Sequence, residues 1–167
     1  YQASDGEYKG IDVELAKEAF RRLGYRPKFE NIVWEDKDEL LADGTVDCLW
    51  SSYSMNGRED KYQWAGPYLY SRQMVVVKNE SEIQTLSDLK GKRIAVQATT
   101  KAEDLFLHNI KSDLPQMQQV NCFSTTNEIY AALRKSYVDA IAGHEAMLGS
   151  LVKEGKDAYR MLDESIY

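Results

Sequence analysis

Three short segments carry the side chains able to do chemistry. The first is Ser51-Ser52-Tyr53-Ser54-Met55-Asn56-Gly57-Arg58, which leaves an apolar stretch through hydroxyls, turns at Asn56-Gly57 and presents Arg58. In open α/β sheets ligands gather beyond the carboxyl ends of strands. An arginine placed there can hold a carboxylate through two parallel hydrogen bonds; a surface ion pair with Glu59 or Asp60 is the plainer alternative. The second is Val96-Gln97-Ala98-Thr99-Thr100-Lys101-Ala102-Glu103. Thr100 and Glu103 stand at capping-box spacing, which predicts a helix start at Thr100, and a helix start offers unpaired N–H groups to an anion. Thr125 and Glu128 have the same spacing, so the box by itself marks a helix and not a site. The third is His144-Glu145, following an apolar run and Gly143. The pair could serve as acid and base, or only as a polar contact.

Other chemistries lack their residues. The two histidines, His108 and His144, stand at no metal-ligand spacing with a cysteine, so neither a metal nor a cofactor is expected. Phosphate-loop, dinucleotide and nucleophile-elbow motifs are absent from the sequence. Cys48 and Cys122 lie in strand-like apolar settings and read as two buried free thiols. Lys and Arg number 21 against 27 Asp and Glu, a net charge of −6, which disfavours nucleic acid or an anionic membrane as the main partner. Aromatic residues make up 11% of the chain, and Trp64, Tyr68 and Tyr70 crowd together as either an aromatic-lined cleft or ordinary core.

These segments need elements to position them. Val13, Leu15, Ala16, Ala19, Phe20 and Leu23 form one helical stripe that Gly24 ends. Strands are expected over 27–33, 46–52, 72–77, 93–96, 118–122 and 138–142, and helices over 36–42, 100–110, 125–135 and 145–154. Alternation of this kind predicts parallel-rich α/β layers. The 167 residues, 43% hydrophobic, suffice for one large domain or two small lobes. The stretch 41–50 echoes 133–142, each reading as helix end, turn, Val-Asp and buried strand; this fits either two lobes of similar build or the common look of helix-to-strand turns. The apolar run Met74-Val75-Val76-Val77 is far too short to span a membrane. Tyr1-Gln2-Ala3-Ser4-Asp5 has none of the marks of a secretory leader, and both ends read as cut from something longer.

Taken together, the segments resemble the bacterial extracellular solute-binding proteins of family 3, the amino-acid-binding type. The resemblance runs through Tyr8-Lys9-Gly10-Ile11-Asp12-Val13-Glu14-Leu15-Ala16, Val33-Trp34, Gly44-Thr45-Val46-Asp47 and Arg58 to Tyr68 with its Trp64-Ala65-Gly66-Pro67-Tyr68. It continues through Leu86-Ser87-Asp88-Leu89-Lys90-Gly91-Lys92-Arg93-Ile94-Ala95-Val96 and Val138-Asp139-Ala140. It implies a two-lobed α/β clamshell with mixed, mostly parallel sheets, lobe one over 1–72, lobe two over 73–167 and a hinge near 70–77, the lobes closing on a ligand. It implies that Arg58 pairs with a ligand carboxylate and that Thr100, with Thr99 beside it, binds the same group. Ser52 and Ser54 would contact the ligand's amino and carboxylate groups, and Trp34 would pack on its side chain with Tyr53 nearby. Asp12 and Asp47 would be mainly structural. The 64–70 aromatics then become packing under the hinge.

The sequence also departs from the pattern. The family's ammonium-binding aspartate aligns with His144, so either neighbouring Glu145 swings in or the ligand lacks an ordinary α-amino group. The turn before Arg58 is one residue shorter than usual. The family's first strand would precede Tyr1 and its return crossing would follow Tyr167; lobe one is therefore expected to be incomplete, its strand exchanged with another chain or supplied from outside this stretch. The implied function is extracytoplasmic binding of a small carboxylate-bearing solute, an amino acid or analogue. The implied partner is an ABC permease or a linked transmembrane signalling module, and no catalysis is expected. A dehydratase-like enzyme on the same fold and a protein-interaction domain are the alternatives.

Overall fold

The computed structural model describes residues 6–51, 53–108 and 113–167. The chain forms two compact units, Tyr1–Pro67 and Tyr68–Tyr167.

The second unit is organised by one sheet. Its strands are β1 (Gln73–Lys78), β2 (Arg93–Gln97), β3 (Gln119–Phe123), β4 (Ala140–His144) and the unexpected short β5 (Tyr159–Met161), ordered β3-β2-β4-β1-β5. β2 runs parallel to β3 and to β4, whereas β1 runs antiparallel to β4 and β5. The sheet is mixed, as expected, and among the described residues its parallel pairings do not outnumber its antiparallel ones. The β-branched run of β1 suits a strand covered on both faces. Val75 and Val77 enter one core with Ile94, Val96 and Leu105, while Met74 and Val76 enter another with Ile129, Leu133, Ile141 and Leu148. The first core lies under α3 (Lys101–Leu107). The second lies under α4 (Thr126–Arg134) and α5 (Glu145–Gly155), one layer on each face of the sheet.

Two local devices fix the strand ends. The Arg93 backbone N–H donates to Asp139 Oδ2 at 2.8 Å and its guanidinium donates to Oδ1 at 2.7 Å. The Asp139 N–H donates back to the Arg93 carbonyl at 2.9 Å. The start of β2 is thereby tied to the turn entering β4, and the Arg93 guanidinium holds the Asp139 carboxyl below its usual range. That turn consumes Val138 and Asp139, so the strand expected over 138–142 runs instead from Ala140 to His144. His144 is consequently the last residue of a strand, opposite Gln73. The helix expected over 100–110 is α3, Lys101–Leu107; residues 109–112 lie outside the described set.

The first unit holds α1 (Ile11–Arg22), a single 3₁₀ turn at Trp34–Asp36 and α2 (Lys37–Ala42). Gly24, at φ 80°, ends α1 where only glycine is unstrained. The Tyr25 N–H reaches back to the Phe20 carbonyl at 2.8 Å and the Gly24 N–H to Arg21 at 3.2 Å, a closing pattern that satisfies the last carbonyls. Of the predicted stripe Val13 and Ala16 are buried, while Leu15 is 39% and Leu23 68% exposed. The strands expected over 27–33 and 46–52 are not formed among the described residues of this unit. A strand exists by virtue of a hydrogen-bonded neighbour, which apolar periodicity does not guarantee. Cys48 in that extended stretch is exposed, as is Cys122 on the edge strand β3, which corrects the expectation of two buried thiols.

Candidate functional site

In the first unit the candidate residues gather around the Tyr53 ring. Trp34 meets it edge-on at 5.0 Å between centroids, and the Arg58 guanidinium carbon lies over it at 5.1 Å. Arg58 curls back so that Nη1 faces the Ser54 carbonyl at 3.5 Å, and the Trp64 indole N–H donates to the Arg58 carbonyl at 3.0 Å. The segment read from sequence as hydroxyls, turn and arginine thus closes on itself, with its arginine lying against an aromatic floor. The cation gains from the ring's electron-rich face without losing its planar donors. Ser54 and Tyr53 are part of this arrangement; Ser52 lies outside the described residues.

Sequence reasoning missed the rest of the cluster. Tyr62 and Trp64 meet edge-on with ring centroids 5.4 Å apart, and both approach Tyr53, at 5.5 and 5.7 Å. Tyr62 donates its hydroxyl to Asp38, which also pairs with Lys61 at 2.7 Å. Burial, and then the hydrogen bond to Asp38, push the Tyr62 phenol well above its ordinary range. Lys37 is only 3% exposed, its ammonium 5.2 Å from the Trp34 ring and 6.0 Å from Tyr53. Burial pushes the Lys37 ammonium down, and the Lys61 and Arg58 cations add to that against the pull of Asp38. One signal was available: Lys37 follows Trp34 by three residues, a spacing that shares a helical face. The aromatics of 64–70 divide. Trp64 joins the cluster, whereas Tyr68 is 44% and Tyr70 90% exposed, so packing under a hinge does not describe them.

In the second unit Thr99, Thr100, His144 and Glu145 lie at one end of the sheet, because β2 and β4 are parallel neighbours and both segments follow their carboxyl ends. The predicted capping box is not formed as read. Glu103 accepts from the N–H of Thr99 at 2.7 Å, and the Thr100 hydroxyl donates back to the Gln97 carbonyl at 2.7 Å without capping α3. Thr99 takes φ 57°, a left-handed conformation uncommon for a β-branched residue. The box at Thr125 and Glu128 is formed in both directions. A ring nitrogen of His144 stands 3.0 Å from the Gln73 amide nitrogen. Glu145, expected to swing in as the missing carboxylate, is paired with Arg72. Arg72 Nε donates to one of its oxygens at 3.0 Å and Nη2 to the other at 2.5 Å, which holds the carboxyl below its usual range. The Glu145 N–H also donates to the Arg72 carbonyl at 2.9 Å.

Comparison with known proteins places these features in a family. The family model described as bacterial extracellular solute-binding proteins, family 3, matches residues 1–162. The chain is 27% identical over 168 residues to the L-cystine-binding protein TcyJ of Escherichia coli (strain K12), covering 99% of this chain and 61% of that protein. It is 26% identical over 172 residues to the glutamate-binding protein GluB of Corynebacterium efficiens, covering 95% of this chain and 56% of that protein. It therefore spans less than two thirds of the length of these relatives. Among solved structures it is similar to Tv2483 bound to L-arginine, with a TM-score of 0.86 and 28% identity over 100% of this chain and 68% of the other. It is similar also to the substrate-binding protein of an ABC uptake transporter from Streptococcus pneumoniae with bound histidine, with a TM-score of 0.86 and 26% identity over 97% of this chain and 68% of the other. No helix among the described residues is long and apolar enough to cross a membrane. With its motifs, its mixed α/β sheet and a family match over nearly its whole length, the chain belongs to the bacterial extracellular solute-binding proteins, family 3.

Proposed function

We propose that this chain binds a small carboxylate-bearing solute, an amino acid or a close analogue, outside the cytoplasm, as part of the binding component of an ABC importer. The observation that carries the reading is the Arg58 guanidinium laid over Tyr53 beside Trp34. A planar cation on an aromatic floor suits a carboxylate attached to an apolar or aromatic body. The relatives named above bind cystine, glutamate, arginine and histidine, all of which carry a carboxylate. Thr99, Thr100, His144 and Glu145 are the second unit's proposed ligand contacts. A proton-donor role for Glu145 gains no support, since a carboxyl held below its usual range by Arg72 is a poor acid.

A thermal-shift screen of amino acids and related carboxylates tests the reading. A ligand at about a hundred times its Kd should add roughly 2.7 kcal/mol of stability. Arg58→Ala is expected to abolish the shift, because truncating one partner of a buried charged pair costs about 2–5 kcal/mol. A carboxylate that stabilises the variant as well as the parent protein would remove Arg58 from the site.

A further inference from the structure

The aromatic cluster around Tyr53 carries its own cations. The Lys37 ammonium stands over the Trp34 ring at 5.2 Å and over the Tyr53 ring at 6.0 Å, and the Arg58 guanidinium carbon lies over Tyr53 at 5.1 Å. The Lys61 ammonium lies over Tyr62 at 5.4 Å. All of these residues belong to the first unit. An aromatic ring attracts a cation through the negative charge of its face. Trp34, Tyr53 and Tyr62 thus each hold a cation of the protein's own.

Lys37 differs from Lys61. It is almost fully covered, whereas Lys61 is half-exposed, and a covered charge is screened less by water. Lys37 opens α2 directly after the 3₁₀ turn that carries Trp34, so the helix start holds its ammonium against the rings. Two carboxylates pull against this charge, Asp38 and Glu35. Asp38 is itself engaged by Lys61 and by the Tyr62 hydroxyl. Glu35 is exposed, where solvent weakens its pull. Lys37 and Arg58 face the same Tyr53 ring, so a small solute gripped by Arg58 lies within the field of Lys37.

We infer that Lys37 is a specificity-determining residue of this site and excludes solutes with a cationic side chain. The accepted class is then an amino acid or analogue whose side chain is neutral or anionic, unlike the L-arginine bound by Tv2483. Ring faces that would receive a guanidinium or an ammonium are already filled, and the Lys37 charge repels a second cation brought beside it. A neutral side chain meets neither obstacle, and an anionic one is attracted. The exclusion rests on the carboxylate-binding reading above, which it narrows, and is set within the first unit alone.

The test is titration calorimetry on the 167-residue chain with probes alike in shape and different in charge: arginine against citrulline and lysine against norleucine, with glutamate as the anionic probe. At least one of citrulline, norleucine and glutamate is expected to bind about tenfold more tightly than either cation. Lys37→Met and Lys37→Gln, which free the Trp34 face and remove the charge, are expected to shrink that ratio. A ratio unchanged in these variants, whether or not both affinities fall, would assign Lys37 a structural role and overturn the inference. Arginine or lysine binding to the parent protein as tightly as the other three probes would also overturn it, with no variant needed, while leaving the carboxylate reading intact. Binding of no probe at millimolar concentration would overturn it as well. The carboxylate reading falls with it only if the thermal-shift screen also finds no stabilising carboxylate.

Discussion

At the scale of single residues, the partners that are close in sequence were the legible ones. Arg58, Tyr53 and Ser54 lie within one turn, and their meeting follows from the Asn56-Gly57 reversal. Arg72 and Glu145 are separated by 73 positions, and no local pattern announces their contact. Lys37 was missed for another reason: a lysine read from sequence is presumed solvated, whereas here aromatic rings cover it. A buried cation whose pKa is lowered opposes folding. The unfolded chain binds more protons than the native one between the two pKa values, so native stability should rise with pH through that alkaline range. Lys37→Met keeps the apolar stem and removes the charge. It is expected to flatten that rise, the variant's stability relative to the parent protein falling as pH climbs towards the range where lysine loses its proton. Melting curves from neutral to alkaline pH check this; a variant whose stability rises as steeply as the parent protein's would show that Lys37 does not carry the rise.

Elements were legible where periodicity and chain punctuation agree, as in β1, β2, α4 and α5, whose expected and observed ends differ by a residue or two. Capping chemistry was less legible, because the same spacing has two outcomes. Thr125 and Glu128 close a reciprocal box, while Glu103 bypasses Thr100 for the Thr99 N–H. Thr125→Ala should therefore cost about 1 kcal/mol through loss of the α4 cap. Thr100→Val, which removes a hydroxyl bonded to the Gln97 carbonyl and not to its own helix, should cost nearer 0.5 kcal/mol. Equal losses in chemical denaturation would show that Thr100 caps α3 in solution.

The Arg93–Asp139 tie joins two elements, and its contribution depends on pH. The native carboxyl is held below its usual value by the guanidinium, so its stabilisation is fully present above the ordinary carboxylate pKa and is lost as pH falls through the native one. About a third of each side chain is exposed, and solvent screening limits the effect to about 1 kcal/mol. Asp139→Asn should be less stable than the parent protein by that amount near neutrality, and the difference should narrow below about pH 4. A difference that stays constant into acid would mean that the ion pair adds nothing beyond the backbone bonds around it.

For the whole molecule, the sequence echo between 41–50 and 133–142 suggested two units of like build, but the described residues differ sharply in what they bury. The fully covered apolar side chains run from Met74 to Ile166 in the second unit, whereas the first contributes Val13 and Ala16. Periodicity reports which face of an element is apolar and says nothing of whether a neighbour covers it, so the first unit's strands were legible as patterns and not as structure. Burial of apolar surface is the main favourable term in folding. Local opening is cheapest where little of that surface is lost to water. The amides of β1, β2 and β4 should therefore be the slowest in the chain to exchange with deuterium, opening only with the second unit's two cores. Those of α1 and α2 should exchange faster by at least about tenfold in protection, equivalent to about 1.4 kcal/mol. A bound carboxylate should slow exchange in the Tyr53–Arg58 segment more than in α1, because it adds contacts to Arg58 and not to the helix. Protection in α1 equal to that of β1, with no ligand present, would show that the first unit folds as firmly as the second and would overturn this ordering.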